Sequence, residues 1–471
     1  MTSKKIKIGF APTKRDCFLH PEAQEYRQKI LSCIESPDIE IIDICGINDD
    51  DMIQYDSDVD KVIELFKKAD IDGVFFPHCN FGSESMVAKI AAAMKKPVLL
   101  WGPRDNTPPE SEFRHRDTQC GLFATGKALR RMNIPFTYLV NSWVDDSSFL
   151  NGFRSFTAVC AVVRDFTNMR ILQIGVRPQP FWSVAYNEPE LMERFGIEVY
   201  PVPLPQVEQR VKELIQSDND SLSEIIRDFG QRLNCQGITD AQLRNMAALL
   251  LAIRELCQTH GCNSVAIHCW ETLWRTMGCA TCTINGFLTE QGIPVACEAD
   301  IHGAVSSILL QAAAMRTSSV FFADLTNRHP DNDNAELLWH CGNFPPSLAI
   351  DSRQKLLSKQ ENTYPAQSNW EIRHGDITVC RFDGDHGEYR LLMGEGRGVD
   401  GPPTVGTYCW FEVDCWDRWE KHLVEGPYIH HCTGVHGKYA HILFEACKYL
   451  GIETDPVSPS AQELESRWLG H

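Results

Sequence analysis

The chain has 471 residues and a formal net charge of −18. A single hydrophobic core rarely grows beyond about 250–300 residues, so two or three domains are expected. The acidic balance disfavours nucleic acid as a partner, because nucleic-acid binding requires a basic face. No apolar run approaches the roughly 20 residues of a membrane span, and no signal-like apolar stretch follows the N-terminus, so the expectation is a cytoplasmic protein without membrane contact.

The first 165 residues alternate the patterns of strands and helices. Strands are predicted over residues 7–12, 39–44, 73–77 and 97–101, and helices over 22–35 and 59–68. This alternation is typical of a parallel sheet covered by helices, and it predicts a Rossmann-like α/β domain over residues 1–165. The loops after three of the strands contain Arg15, Asn80 and Arg104, which would lie at the ligand-binding edge of the sheet.

A second Rossmann-like α/β domain is predicted over residues 166–325. Strands are expected over residues 170–175, 197–200, 264–267, 293–296 and 320–324, and a helix over 304–315. Asp240 is expected to cap a long helix whose apolar residues recur at helical spacing. Gly175 is followed by no GxGxxG motif, so a dinucleotide site is rejected.

The pattern changes again near residue 327. Short apolar runs separated by Gly, Pro and Asp predict antiparallel strands over residues 377–382, 389–393 and 408–413, in a C-terminal β-barrel-like domain over residues 326–471. A helix is expected over residues 438–449, and residues beyond 456 are expected to form a loose tail.

Nineteen cysteines occur mostly in apolar surroundings, which is typical of buried structural thiols. Cys279 and Cys282 have CxxC spacing. No second pair is well placed for zinc and no thioredoxin-like pattern surrounds them, so they are interpreted as core cysteines.

Two carboxylate patches and a distant histidine pair carry the strongest functional signal. Glu271 follows one short apolar run, Glu298 and Asp300 follow the next, and His430 and His431 lie in the C-terminal region. Acids at the carboxyl ends of neighbouring parallel strands point into one crevice. Two carboxylates and an imidazole form a ligand set for a divalent cation that polarises oxygens, and such a set suits Mn²⁺ or Mg²⁺ better than structural zinc. The combination favours an enzyme over a binding module.

Other residues are expected around this site. Adjacent histidines on an extended segment point to opposite sides, so only one of the pair is expected to face the crevice. Three roles are considered for His340, and those of a core histidine and of a hydrogen-bonding partner of the substrate are favoured over that of a metal ligand. Trp270 and Asn343 are further candidates to lie beside the site or to contact a substrate.

Four motifs carry a family resemblance. In chain order they are Cys297-Glu298-Ala299-Asp300, Leu338-Trp339-His340-Cys341-Gly342, Gly394-Glu395-Gly396 and the double histidine. Together they resemble the L-fucose/L-arabinose isomerase superfamily, and the likeness extends over nearly the whole chain. The resemblance implies that Glu271, Asp300 and His431 are metal ligands, whereas arabinose isomerases favour Glu298 as the second acid. His430 then lies outside the ligand set.

The resemblance also implies a reaction. The chain would be a metal-dependent aldose–ketose isomerase of a monosaccharide that uses Mn²⁺ (or Mg²⁺), with Glu271 and Asp300 as catalytic groups on opposite sides of an enediol. Family members are usually homo-oligomers, often hexamers, in which the N-terminal domain covers a neighbour's active site. Arg15, Asn80 and Arg104 are the candidates for such contacts between subunits.

Two other classes of function are considered. The α/β units also resemble non-catalytic sugar-binding sensor domains, although a sensor does not need the two acids and the histidine. A metal-dependent sugar lyase or aldolase is the other alternative. Pentoses, deoxyhexoses and anionic hexoses all remain open as substrates.

Overall fold

The computed structural model describes residues 5–18, 21–107, 110, 113–217, 220–270, 272–350, 354–357 and 365–469. The chain divides into two compact units. The N-terminal unit comprises the described parts of residues 2–164, 444–451 and 461–471, and the central unit comprises those of 165–443 and 452–460. The predicted division into three domains stays a prediction. Within the described residues, none of the helices has both the length and the apolar character needed to cross a membrane.

The N-terminal unit contains a parallel sheet of five strands in the order β2-β1-β3-β4-β5, an order typical of doubly wound α/β folds. The strands are β1 Ile6–Phe10, β2 Ile39–Asp43, β3 Gly73–Pro77, β4 Val98–Trp101 and β5 Thr137–Tyr138. The helices are α1 Glu22–Ile34, α2 Asp56–Ala69, α3 Glu84–Met94, α4 Thr118–Arg131 and α5 Ser147–Thr167, the last of which extends into the central unit. β3 and β4 are buried throughout, which explains their continuous apolar sequences. The predicted parallel α/β architecture is confirmed.

The central unit begins with a second parallel sheet, of four strands in the order β10-β9-β6-β7. Its strands are β6 Arg170–Ile174, β7 Glu198–Val202, β9 Ser264–Ile267 and β10 Val295–Ala296. Its helical segments are the 3₁₀ turn Trp182–Val184, α6 Glu188–Glu190, the π turn Leu191–Phe195, α7 Leu204–Gln216, α8 Asp220–Arg232, α9 Asp240–His260, α10 Thr272–Met277, α11 Cys282–Glu290, the 3₁₀ turn Cys297–Ala299 and α12 Ile301–Ala313. β9 and β10 are parallel neighbours, so the two acidic segments do follow adjacent strands, as predicted.

Thr239, and not the predicted Asp240, is the N-cap of α9. The Thr239 hydroxyl accepts a hydrogen bond from the Gln242 amide at 3.3 Å, and the Gln242 side chain accepts one from the Thr239 amide at 2.9 Å. This reciprocal capping box satisfies two backbone donors that would otherwise lack partners. The Asp240 side chain lies one residue further along, in the first turn.

The C-terminal part of the central unit is a closed antiparallel barrel, as predicted. Its six strands follow the order β16-β15-β18-β11-β12-β17, and β17 pairs again with β16 to complete the ring. These strands are β11 Phe321–His329, β12 Asn332–His340, β15 Gly375–Asp385, β16 Glu388–Val399, β17 Thr407–Glu412 and β18 His431–His436. Four further strands extend the sheet: β8 Leu233–Asn234, β13 Gln354–Leu357, β14 Gln367–Glu371 and β19 Glu453–Ser458.

The expectation of a loose tail beyond residue 456 is wrong. β19 pairs in parallel with β16, and the chain then forms helix α15, Ala461–Trp468. Leu464 and Trp468, four residues apart, are both buried. One apolar pair in a short acidic segment is a weak helical signal, so the sequence pattern alone did not reveal the helix. The remaining helical segments are the 3₁₀ turn Pro346–Leu348, α13 Trp416–Glu425 and α14 Ala440–Leu450.

Helix α12 links the parallel sheet to the barrel. All thirteen of its residues are buried, which agrees with the absence of Asp, Glu, Lys and Arg from its sequence. It contacts β9 and β10 of the parallel sheet and β15 and β18 of the barrel. Since α12 starts directly after Asp300, the acidic turn after β10 lies where the sheet meets the barrel.

Candidate functional site

The turn after β10 has an unusual backbone. Glu298 and Ala299 have φ values of 55° and 56°, in the left-handed region that residues with a side chain rarely adopt. Each such residue costs of order 1–3 kcal/mol, and such residues cluster at functional sites. The turn buries Glu298 and Asp300, which are 4% and 0% exposed. Two acids are therefore held inside the protein by a strained segment.

Both carboxylate oxygens of Asp300 accept hydrogen bonds. Oδ1 accepts from the Gly303 amide at 3.0 Å, so Asp300 is the N-cap of α12. Oδ1 also accepts from Arg381 Nη2 at 3.2 Å, and Oδ2 accepts from Arg381 Nη1 and from His431 Nδ1, the last at 2.9 Å. A Cβ on Gly303 would lie 2.6 Å from Oδ2, so this arrangement requires glycine there. Asp300 is thus enclosed by donors from the chain itself.

Arg381 lies between two carboxylates and is completely buried. Besides Asp300 it donates to Asp383 Oδ2 from Nη2 at 2.7 Å and from Nε at 2.9 Å. Asp383 Oδ1 lies 2.8 Å from His302 Nδ1. Burial alone would raise the pKa of Asp300, but Arg381 and His431 outweigh it and hold that pKa well below its ordinary value. Asp300 is therefore ionised and acts only as an acceptor.

His431 is oriented by this acceptor. Because ionised Asp300 accepts from Nδ1, the ring hydrogen of a neutral His431 lies on Nδ1 and the lone pair on Nε2. Nε2 lies 3.5 Å from Asp324 Oδ1 and 3.9 Å from Glu298 Oε2. Asp324 and His431 are directly paired residues of the antiparallel strands β11 and β18, and this pairing holds their side chains next to each other. Histidines that bind metals commonly have a carboxylate on the second nitrogen in this way.

Glu298 and Asp324 each direct an unsatisfied oxygen towards His431. Among the described residues, neither Glu298 Oε2 nor Asp324 Oδ1 has a hydrogen-bond partner, and both atoms are buried. Burial raises the pKa of Glu298 well above its ordinary value. A buried carboxylate is unfavourable unless a proton or a cation accompanies it. Two carboxylate oxygens and one imidazole nitrogen fit a divalent cation such as Mn²⁺ or Mg²⁺.

His340 faces the same space from the end of β12. Its Nδ1 accepts a hydrogen bond from the Cys341 amide at 2.9 Å, so Nε2 carries the ring hydrogen. Nε2 lies 3.7 Å from Glu298 Oε2 and 3.9 Å from Asp324 Oδ1. His340 Nε2 therefore presents a donor to the site, and its predicted role as a hydrogen-bonding partner of the substrate stays a prediction.

The two adjacent histidines differ in exposure. His431 is buried, whereas the His430 ring lies 4.5 Å away on the exposed side. Burial and the neighbouring His431 lower the pKa of His430. One ligand atom each of Asp324, His430 and His431 lie within 4.8 Å of one another, so His430 borders the site.

Trp270 and Asn343 also lie near this site. The Trp270 ring packs against Phe181 with 4.8 Å between centroids, and Phe181 in turn lies 6.2 Å from the ring of His431. The Asn343 amide donates to the Cys297 sulfur at 3.4 Å, directly beside Glu298 in the chain. The structure thus brings most of the predicted residues of the central unit together.

The predicted roles of Asp300 and Glu271 as metal ligands and catalytic groups stay predictions. Glu271 lies outside the described residues. The contacts of Asp300 with Arg381, Gly303 and His431 support a positioning role instead.

Arg15, Asn80 and Arg104 lie in the N-terminal unit, in loops at the carboxyl ends of the strands. Asn80 is buried, and its amide bonds to the Arg15 backbone at 2.7 and 3.1 Å. The Arg15 guanidinium lies 4.0 Å over the Phe81 ring, and Arg104 is exposed. Their predicted contacts with another subunit stay predictions.

Asp324 and Arg381 are site residues to which the sequence analysis assigns no functional role. Asp324 does carry a signal, because it follows the apolar run of residues 320–323 and so lies at the end of a predicted strand. Arg381 lies 81 positions from Asp300, in an apolar strand with no local motif.

Two family models match the chain. The model described as "Fucose/sulfoquinovose isomerase, N-terminal domain" matches residues 9–167, and the model described as "L-fucose isomerase, C-terminal domain" matches residues 338–457. Together they span more than half of the chain, and the second contains His340, Arg381 and His431.

Curated relatives match more than two thirds of the chain. The sulfoquinovose isomerase of Priestia aryabhattai is 24% identical over 453 residues, which is 95% of this chain and 98% of the relative. The sulfoquinovose isomerase of Alkalicoccus urumqiensis is 26% identical over 70% of this chain and 73% of its own, and that of Clostridium sp. (strain MSTE9) is 21% identical over 69% and 72%. A solute-binding protein from Actinobacillus succinogenes with bound D-allose shares 10% identity over 66% of this chain and 92% of its own, and its TM-score of 0.16 is too low to support an argument.

The two family models match an N-terminal and a C-terminal region, the second of which contains His340 and His431, and one relative matches 95% of the chain. The chain therefore belongs to the fucose isomerase-like superfamily and is an aldose–ketose isomerase.

Proposed function

We propose that the chain converts sulfoquinovose, or a closely related anionic hexose, into the corresponding ketose at a divalent-cation site formed by Glu298, Asp324 and His431. The observation that carries the cation site is the convergence of Glu298 Oε2, Asp324 Oδ1 and His431 Nε2, two of them buried oxygens without a hydrogen-bond partner among the described residues. The observation that supports the substrate is the name shared by the curated relatives that match the chain.

The residues fit a hard divalent cation better than a structural zinc ion. The set is two oxygens and one imidazole nitrogen, and it leaves coordination positions open for a substrate. When bound, such a cation acts as a Lewis acid that polarises the carbonyl and hydroxyl oxygens of the sugar.

The other residues of the site orient the His431 ring or stabilise charge on the sugar. Asp300 fixes the His431 ring through Nδ1, and Arg381 fixes Asp300, so His431 Nε2 is presented in one direction. His340 Nε2 is a buried donor with no partner among the described residues, and it can donate to a sugar oxygen as negative charge develops there. Glu271 remains the predicted group that moves the proton between C2 and C1.

The choice of an anionic hexose can be tested directly. Sulfoquinovose is a glucose derivative in which a sulfonate replaces the hydroxyl at C6, so glucose and L-fucose are natural controls without the anion. We expect the Mn²⁺-loaded protein in deuterated water to convert sulfoquinovose to a ketose that carries deuterium at C1, and the recovered aldose to carry deuterium at C2. The kcat/KM for glucose and L-fucose should be at least about 100-fold lower, because a pocket built for a polar group rejects an analogue that lacks it.

Each outcome of this assay decides one point. Faster turnover of L-fucose than of sulfoquinovose would overturn the proposed substrate and leave the isomerase assignment intact. Cleavage of a carbon–carbon bond would favour a lyase or aldolase. Binding of sugars without any turnover or deuterium incorporation would favour a non-catalytic sensor.

A further inference from the structure

Two cysteines from distant segments meet beside the candidate site. Cys282 is the first residue of α11, and Cys341 directly follows β12. Their sulfurs are 2.9 Å apart, well inside the separation of about 3.5–4.0 Å at which two carbon atoms make optimal contact. A disulfide needs about 2.0 Å, so its closure requires a movement of only about 0.9 Å. The contact joins Cys282 to a thiol 59 positions along the chain, which the CxxC spacing of Cys279 and Cys282 does not indicate.

The two thiols differ in their access to solvent. Cys341 is partly exposed, whereas Cys282 is completely buried. The Cys341 sulfur also lies 3.2 Å from His340 Nδ1, which can accept the thiol hydrogen. A thiol that has both an acceptor for its proton and contact with solvent is the one that a dissolved oxidant reaches first. Cys282 needs no solvent access of its own, because its sulfur already lies beside that of Cys341.

We propose that Cys282 and Cys341 form a redox-sensitive dithiol that a peroxide converts reversibly into a disulfide. The Cys341 sulfur first attacks one oxygen of the peroxide. A sulfur–oxygen bond forms, the oxygen–oxygen bond breaks, and the leaving hydroxide takes the thiol proton to become water. The Cys282 sulfur then attacks the Cys341 sulfur, and the hydroxide displaced there takes the Cys282 proton as a second water. The two thiols thereby supply two electrons to the peroxide, and a dithiol reductant reverses the reaction by exchange.

The disulfide would act on the isomerase through His340. Cys341 follows it directly in the chain, and the Cys341 amide donates to His340 Nδ1 at 2.9 Å. Closure draws Cys341 towards α11 and removes the thiol hydrogen that Nδ1 can accept. His340 Nε2 is the group proposed above to donate to a sugar oxygen, so its displacement should slow the reaction. This effect on turnover rests on the proposed function, whereas formation of the disulfide does not.

The linkage can be measured without any substrate. Freshly reduced protein is treated with a small molar excess of hydrogen peroxide, alkylated in denaturant and digested without reduction. We expect mass spectrometry to find the peptides of Cys282 and Cys341 joined, and a dithiol reductant to separate them. The joined pair should be absent from Cys282→Ser and from Cys341→Ser. It should persist in Cys279→Ser, the matched control, because Cys279 is also buried and shares the CxxC spacing.

Turnover tests the coupling to His340. After removal of the peroxide, the wild type and Cys279→Ser should have a kcat/KM for sulfoquinovose about 10–100-fold lower than before, since a misplacement of about 1 Å can have an effect of this size. A dithiol reductant should restore the activity. Cys341→Ser can form neither oxidised product at this position, so peroxide should leave its kcat/KM unchanged. An equal loss in Cys341→Ser would place the damaging oxidation at another residue and would overturn the coupling.

The remaining outcomes separate this proposal from the proposed function. If Cys282 and Cys341 both stay open to alkylation in the peroxide-treated wild type, the proposal is overturned, and this result requires no variant to fold. A joined pair with an unchanged kcat/KM would overturn the coupling to His340. A protein that forms the disulfide but does not isomerise sulfoquinovose would support the dithiol and contradict the proposed substrate.

Discussion

Replacing Asp324 with Asn is expected to lower kcat/KM for isomerisation by about 1,000-fold or more. The change keeps the shape of the side chain and removes the charge of an oxygen that lies 3.5 Å from His431 Nε2. Loss of a metal ligand removes several kcal/mol of transition-state stabilisation, which corresponds to a factor of about 1,000 or more. The measurements are steady-state kinetics and a Mn²⁺ titration, and both activity and cation affinity should fall.

Two further substitutions serve as controls for Asp324→Asn. Asp333→Asn alters an exposed aspartate on β12, and we expect near wild-type kinetics. Asp300→Asn should reduce cation affinity and activity only about 10–100-fold, since Asp300 acts by orienting His431. The reverse order, with Asp300→Asn inactive and Asp324→Asn active, would make Asp300 the ligand and contradict our assignment.

Replacing Arg381 with Met is expected to destabilise the central unit by about 3–5 kcal/mol, because two buried carboxylates lose the guanidinium group that pairs with both of them. Asp300 and Asp383 are 0% and 5% exposed, and Arg381 donates to both. Activity should also fall, since Asp300 loses the group that positions it. Chemical denaturation of the two proteins at neutral pH gives the difference in unfolding free energy.

The effect of Arg381→Met should depend on pH in a definite direction. In the wild type the pKa of Asp300 is held below its unfolded value, so the stabilisation is complete above about pH 3.9 and is lost as the pH falls further. In the variant, burial without Arg381 favours the protonated form of Asp300. The free-energy cost of keeping an ionised Asp300 buried is therefore largest at neutral pH and becomes smaller as the pH falls. The two stabilities should therefore converge as the pH falls from 7 towards 4.

Arg390→Met is the matched control for this prediction. Arg390 lies on the neighbouring strand β16, is about one-third exposed, and pairs with Glu453 at 3.2 Å. Exposed ion pairs contribute about 0–1 kcal/mol, so this variant should differ little from the wild type. An Arg381→Met protein as stable as Arg390→Met would show that the Asp300–Arg381–Asp383 cluster does not hold the site together.

Most of the architecture follows from local patterns in the sequence. The continuous apolar runs of β3 and β4 predict strands buried on both faces, and the regular alternation with helices predicts the parallel sheet. The closing pairs of the barrel, such as β16 with β17, depend on contacts between distant residues. Only their antiparallel character and approximate positions could be inferred from the Gly-rich and Pro-rich spacing.

The site was harder to predict, because its residues are defined by contacts across the chain. Glu298, His340 and His431 could be selected from their motifs. The N-cap position of Asp300 was visible in principle, since an aspartate directly before an apolar helix is a capping signal. Its pairing with Arg381 was not visible, because 81 residues separate the two. The role of Asp324 depends on the register between β11 and β18, which a strand pattern does not give.

The most direct test of the central claim is the position of the cation itself. Anomalous diffraction from crystals of the Mn²⁺-loaded protein, recorded at the manganese absorption edge, would locate it. We expect one peak per chain within bonding distance of Glu298 Oε2, Asp324 Oδ1 and His431 Nε2, with Asp300 still bound to Arg381. A peak bonded to Asp300 and not to Asp324 would contradict the proposed cation site. So would the absence of a peak at Glu298, Asp324 and His431 in a protein that is active with Mn²⁺.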